Sequence, residues 1–223
     1  MEKSIDELTT SELGTLEYWE KTYSLEIENF QDHSDVGEVW FGTDSSIKIV
    51  KFISTRLSLS KESDRIIDVG CGNGMTLVDF AKAGYENLIG VDYSQKAIDL
   101  ARKVVNEEGF PTIKLQVHDI IAPVNVCEDH EFQFKLAHDK GTYDAISLHP
   151  HDPGDKRKRY IRNVHKILSD GGFFALTSCN WTKDELIEHF KDYFQLVHEL
   201  PSKTFSFGGQ TGNKITQLIF VKK

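Results

Sequence analysis

The stretch "DVGCGNG", Asp68 to Gly74, has the residue types and spacing of a ligand-binding turn. It follows the apolar run "RIIDV" and opens the helical pattern "MTLVDFAKAG". Glycines at 70, 72 and 74 permit a tight turn and let backbone approach a ligand, with Cys71 and Asn73 between them as small residues. The dinucleotide fingerprint G-x-G-x-x-G needs glycine at 75, where Met75 stands, and the Gly-Lys-Ser/Thr of a phosphate loop is missing. The ligand therefore lacks a pyrophosphate. Asp68, at the strand's end, suits an ammonium group instead.

Two more carboxylates fall at the ends of the next apolar runs. Asp92 closes "LIGVD", close to the spacing at which a ribose-binding acid is expected after a glycine loop of this kind. An ionised carboxylate accepts from two ribose hydroxyls at once. Tyr93 beside it offers a face for an adenine ring, and Ser94 caps the helix that follows. His118, Asp119 and Ile120 end the third run, where Asp119 can accept from an exocyclic amine with Ile120 against the ring. An adenosine carrying a cationic amino-acid tail meets all these requirements, and S-adenosyl-L-methionine is such a molecule.

Strands and helices must alternate to place these groups. "RIIDVG", "NLIGVDY" and "IKLQVHDI" read as strands, separated by helices that end at Gly84 and Gly109. "DKRKRYIRNVHKILSDGG" reads as a helix closing on paired glycines, before the strand "FFALTSC". "TKDELIEHFKDY" carries a capping box in Thr182 and Glu185. The late strands "FQLVHEL" and "ITQLIFVKK", joined by "PSKTFSFGGQTGN", lack a helix between them and predict an antiparallel edge. In the N-terminal part, Leu13, Leu16, Trp19 and Tyr23 have helical spacing, and Ile47, Val50 and Ile53 mark the apolar side of a second helix. "FQFKLAHDKGTYDAISLHP" offers two strand candidates. The acids ending the first three strands select "FQFKLAHD", with Phe132, Phe134 and Leu136 alternating before Asp139. "TYDAISL" then starts a helical crossover through Ala145, Ile146 and His149, and Asp139-Lys140-Gly141 forms the lip of the site.

With 223 residues, 39% apolar and 27% charged, the chain fits one globular domain with a sizeable core. No apolar run approaches the roughly 20 residues that span a bilayer. The acidic start "MEKSIDELTTSEL" is neither a secretory signal nor a transit peptide. Cys71, Cys127 and Cys179 are too few and too scattered for a disulfide framework or a zinc site, so a reduced cytoplasmic or nuclear compartment is expected. "HPHDPGD" groups His149, His151 and Asp152 in a turn-rich loop, and no metal is expected there. The formal charge of −9 disfavours direct nucleic-acid binding and suits a basic partner. "KRKR" at 156–159 reads as a solvated helix face.

The strand-end acids resemble those of the seven-stranded S-adenosylmethionine-dependent methyltransferases. That implies a doubly wound α/β Rossmann-like sheet of order 3-2-1-4-5-7-6 with strand 7 antiparallel, over residues 45–223, behind an N-terminal helical and aromatic cap at 1–44. No [DNS]-P-P-[YFW] tetrapeptide, paired-glutamate loop or Pro-Cys nucleophile marks an amino-adenine, arginine or cytosine carbon-5 enzyme. "LGTLEYWEKTY", "GEVWFG", "DVGCGNG", "DKGTYDAISL", "TSCNWT" and "FSFGG", in that order, resemble the lysine methyltransferases of translation elongation factor 1-alpha. The resemblance implies transfer to a lysine of that folded, basic protein by a monomeric enzyme. It places Trp40, Phe41 and Gly42 beside the cofactor, and Asn180 and Trp181 along the lysine channel, Trp181 with its face to the ammonium. Trp19 and Tyr23 are expected to pack the N-terminal helix instead. Transfer requires a neutral amine held in line and kept dry, and Asp139 is the expected orienting group, beside the cofactor.

Overall fold

Short aliphatic runs fix the sheet. β1 (Arg65–Val69), β2 (Asn87–Asp92), β3 (Lys114–Val117) and β4 (Phe134–Lys140) run parallel, with β1 between β2 and β4. β5 (Leu168–Ser178) is parallel to β4, and β9 (Thr216–Lys222) lies antiparallel between β5 and β6 (Phe194–Leu200). The order β3-β2-β1-β4-β5-β9-β6 is the expected one, with the last strand inserted antiparallel. This computed structural model describes residues 7–33, 35–122, 133–201, 204–207, 210–213 and 215–223. Strand order reverses between β1 and β4, which opens a crevice beyond their carboxyl ends.

Successive residues of a strand face opposite sides, so Ile66 and Ile67 of β1 serve two cores. Ile66 meets Ile49 and Ile53 of α2 (Thr43–Arg56), Leu77 and Phe80 of α3 (Met75–Lys82), and Ile98 of α4 (Gln95–Glu107). Ile67 belongs with Tyr143 of α5 (Thr142–Ser147), Tyr160 of α6 (Pro153–Ile167) and Phe190 of α7 (Lys183–Phe190), around Phe174. α1 (Leu16–His33) lies outside this sandwich, and Tyr23 packs on Ala97, Leu100 and Val104 of α4. Ser94 caps α4 by accepting from the Ala97 amide, and Thr182 with Glu185 completes the capping box of α7.

Four local expectations shift. Ile47 is 51% exposed, because the buried stripe of α2 runs through Ile49, Val50 and Ile53. α6 ends at Ile167, short of the paired glycines. They instead let β5 begin early and change register opposite β4, with Gly171 at φ 63°. α5 ends at Ser147, which leaves His149 beyond it. The late connection contains a hairpin, β7 (Thr204–Phe207) with β8 (Gln210–Asn213), in a separate sheet. Phe132, Cys127, Gly208 and Gly209 lie outside the described residues.

Candidate active site

The glycine loop is stitched to the end of β2. The Gly70 and Cys71 amides donate to the Val91 carbonyl at 2.7 and 2.9 Å, and the Gly72 amide donates to Asp92 Oδ2 at 3.0 Å. Gly70 and Gly72 hold φ of 70° and 54°, where a side chain is strained. A Cβ would lie 1.9 Å from Thr142 Oγ1 at Gly70 and 2.7 Å from the Tyr23 hydroxyl at Gly72. The backbone itself therefore forms the wall. Asp92 Oδ1 accepts from the Ser94 amide at 2.9 Å, so each oxygen has spent one lone pair and keeps another. Burial pushes the Asp92 carboxyl up to about 6, opposed by the Ser94 and Gly72 amides and reinforced by the charges of Asp68 and Glu20.

A pocket runs across the carboxyl ends of the strands. Tyr93, His118, Asp119 and Ile120 form one end, and Gly70 through Asn73 with Lys140 and Gly141 form the middle. Asp144, Cys179 and Asn180 line the far side. Trp19, Tyr23, Trp40 and Phe41 close the top. The Trp19 ring stacks on Tyr23 at 5.8 Å and meets Trp40 edge-on at 5.3 Å. Asn73 Nδ2 donates to the carbonyls of Val36 at 2.9 Å and Glu38 at 3.3 Å, tying this cover to the glycine loop. Phe41 holds the left-handed φ of 64°, uncommon for a bulky residue, and its ring lies where a Cβ on Gly141 would be 3.0 Å away.

Asp144 is the acid on the far wall. It is 4% exposed and accepts from Ser178 Oγ at 2.6 Å and from the Cys179 amide at 2.7 Å. Burial raises its pKa, and those donors oppose the shift.

A methyltransferase-domain family model matches residues 60–220. Over 215 residues the chain is 42% identical to EEF1A lysine methyltransferase 2 of Danio rerio, across 96% of this chain and 90% of that one. The human protein of the same name is 40% identical over 97% of this chain and 89% of its own. Protein-lysine N-methyltransferase EFM4 of Saccharomyces cerevisiae is 33% identical over 97% of both chains. The chain belongs to this methyltransferase family. A TehB-like S-adenosylmethionine-dependent methyltransferase from Corynebacterium glutamicum shares the fold at TM-score 0.62 and 19% identity, over 93% of this chain and all of that one. The pocket fits S-adenosyl-L-methionine, and the N-methyltransferases NodS and MtfA, which share the fold at TM-scores of 0.60 and 0.61 and 14% identity, were solved in complex with S-adenosylhomocysteine. Asp92 has two free lone pairs for a ribose, and Tyr93, Asp119 and Ile120 stand together for an adenine.

Most expected residues of the methyltransferase meet on this wall: Trp40, Phe41, Gly70, Cys71, Gly72, Asn73, Asp92, Tyr93, His118, Asp119, Ile120 and Asn180. Ser94, Gly42 and Gly74 lie off it, as the N-caps of α4, α2 and α3. Asp68 also lies off the wall. It stands opposite His138 in register, with Oδ1 2.7 Å from His138 Nδ1 inside the sheet. Asp139 turns away from the pocket. It is fully buried, and its carboxylate accepts from the Thr142 and Tyr143 amides and from the Tyr160 hydroxyl, which anchors the start of α5. Trp181 has no face to offer an ammonium. Its Nε1 donates to Ser147 Oγ at 3.1 Å, and Arg157 lies 5.3 Å over its ring.

Helical spacing predicts a packing role for Trp19 and Tyr23, yet both line the pocket. Lys140, Thr142 and Asp144 also line it. The second acid of "DKGTYDA" was the available signal for Asp144. "KRKR" is a solvated face only at Lys158 and Arg159, since Arg157 is buried and Lys156 lines the pocket.

Binding a ribose through both Asp92 oxygens uses the ionised form, so protonation competes with the ligand below about pH 6. Calorimetric affinity for S-adenosylhomocysteine is expected to fall about tenfold between pH 7 and pH 5. Asp92→Asn binds more weakly throughout and loses the part of the slope that Asp92 supplies. Asp139→Ala strands three buried donors and is expected to cost about 3 kcal/mol in denaturant unfolding. Its affinity for S-adenosylhomocysteine stays within about threefold of the parent.

Proposed function

We propose that the chain methylates a lysine side chain of translation elongation factor 1-alpha. The observation that carries this reading is identity of 33–42% over nearly the whole chain to proteins named as lysine methyltransferases, three of them named for that factor. The charge of −9 supports a basic protein substrate. On this reading the enzyme is a single methyltransferase domain, acts as a monomer in the cytoplasm or nucleus, and takes no nucleic acid as substrate. Among the described residues, no helix is long and apolar enough to cross a membrane.

The cofactor's sulfonium supplies a methyl group that is already activated, so the chain's task is to deliver a dry, neutral, oriented amine. A charged ammonium has no lone pair to attack with. Asp144 takes the orienting role that the sequence suggested for Asp139, because it is the acid beside Asn180 on the far wall. The Ser178 hydroxyl and the Cys179 amide hold its carboxyl group in place, so that it can accept from the amine's N–H. The Asn180 amide offers an oxygen to the amine's N–H. Trp19 and Trp40 close the site against water.

Mass spectrometry of elongation factor 1-alpha incubated with enzyme and cofactor tests the reading. A mass gain in steps of one methyl on a single lysine is expected, and that gain disappears when the lysine is replaced by arginine. Asp144→Asn keeps the side chain's shape and one acceptor oxygen for the Cys179 amide, and is expected to lower kcat at least tenfold, with affinity for S-adenosylhomocysteine within twofold of wild type. Label recovered only in RNA or small molecules would overturn the assignment.

A further inference from the structure

The cofactor's amino-acid tail carries a carboxylate as well as an ammonium, and the acids of the pocket answer only positive or neutral groups. Among the described residues, four side chains able to carry positive charge line the pocket: His118, Lys140, His149 and Lys156. His118 adjoins Asp119 at the adenosine end, while His149 and Lys156 belong to the segment beyond α5. A ligand with its ribose at Asp92 and its adenine beside Tyr93 must direct its tail toward the glycine loop and the end of β4. Among the described residues Lys140 is the cation there, next to Gly141 and level with Gly70 along the wall.

We propose that Lys140 is the anchor for the carboxylate of the cofactor's tail. Its Nζ makes one hydrogen bond among the described residues, a 3.3 Å donation to the Trp40 carbonyl. An ammonium has three protons to donate, so two remain for a ligand. The side chain is half-buried, and desolvation lowers its pKa, while the charges of Asp68, Asp139 and Asp79 oppose that shift. Two of those acids are themselves pushed toward the neutral form by burial, Asp139 to about 8 and Asp79 in the same direction. The third, Asp68, is engaged by His138. Lys140 is thus a desolvated cation facing the pocket with no close ion pair among the described residues. A ligand carboxylate supplies the missing partner.

The geometry also joins the tail to the cover. Lys140 holds the Trp40 carbonyl, and Phe41 packs over Gly141, the next residue. A carboxylate on Nζ leaves that carbonyl contact in place, because it uses different protons. The charge of the tail therefore helps hold Trp40 and Phe41 in position over the site. This inference rests on the cofactor and is independent of which protein receives the methyl group.

A thermodynamic cycle tests it by calorimetry, without turnover. The ligands are S-adenosylhomocysteine and its decarboxylated analogue, 5′-(3-aminopropylthio)-5′-deoxyadenosine, which keeps the ammonium. The wild-type protein is expected to prefer S-adenosylhomocysteine by at least tenfold. Lys140→Met should lose most of that preference while binding the analogue within about threefold of wild type. A wild-type protein that binds both ligands equally overturns the proposal without any variant. Equal losses for both ligands in Lys140→Met also overturn it, because they mean that Lys140 merely supports the Trp40 carbonyl.

Discussion

Three amide groups of the glycine loop donate to the end of β2, two to the Val91 carbonyl and one to the Asp92 carboxylate, and the site depends on this seam. A loop leaving a parallel strand has no sheet partner for its amides, and buried amides left unpaired cost about 1–3 kcal/mol each. The seam satisfies them and at the same time fixes Asp92. Because Ser94 occupies the other Asp92 oxygen while capping α4, the same acid also joins the loop to the next helix. A change at Asp92 therefore reaches loop, helix and ligand together.

The cover is assembled from a different part of the chain and is held by polar contacts at its edges. Asn73 binds two carbonyls of the 36–38 segment, and Glu26 accepts from the Glu38 amide at 3.1 Å. Further along, the Ser11 amide donates to the Leu148 carbonyl at 2.9 Å and Glu7 pairs with Arg157 at 2.7 Å. Arg157 also lies over Trp181, so the N-terminal segment bears on the loop that presents Cys179 and Asn180. Phe41 is held in the left-handed region between these attachments, a local strain of order 1–3 kcal/mol that the surrounding contacts must offset.

The parts of this arrangement that were legible in the sequence depend on position along the chain. Glycines after a strand, an acid at its end and a serine before a helix have one structural meaning each, so Gly70 and Asp92 stand where expected, and Ser94 does so as a helix cap though not as a wall of the pocket. What was not legible depends on direction. Asp139 lies at a strand end as anticipated, but strand alternation sends its side chain to the α5–α6 face, where Tyr160 awaits it 21 residues later. Asp144 reaches the pocket only because α5 starts at Thr142 and turns it back over the strand ends. Helical spacing marked Trp19 and Tyr23 as an apolar face, yet periodicity cannot tell a core from the wall of a cavity. The surroundings of Trp181 in the sequence do not show its cover, because Arg157 comes 24 residues earlier in the chain.

These observations give a pocket polar at its two ends, with Asp92 and Asp119 at one and Asp144 and Asn180 at the other, and a backbone wall between them. A crystal structure of the protein with S-adenosylhomocysteine is the most direct test. The ribose hydroxyls are predicted within hydrogen-bond distance of the Asp92 carboxylate, with the sulfur turned toward Asp144 and Asn180. A ribose bound elsewhere, or a sulfur closed off from Asp144, would contradict the account.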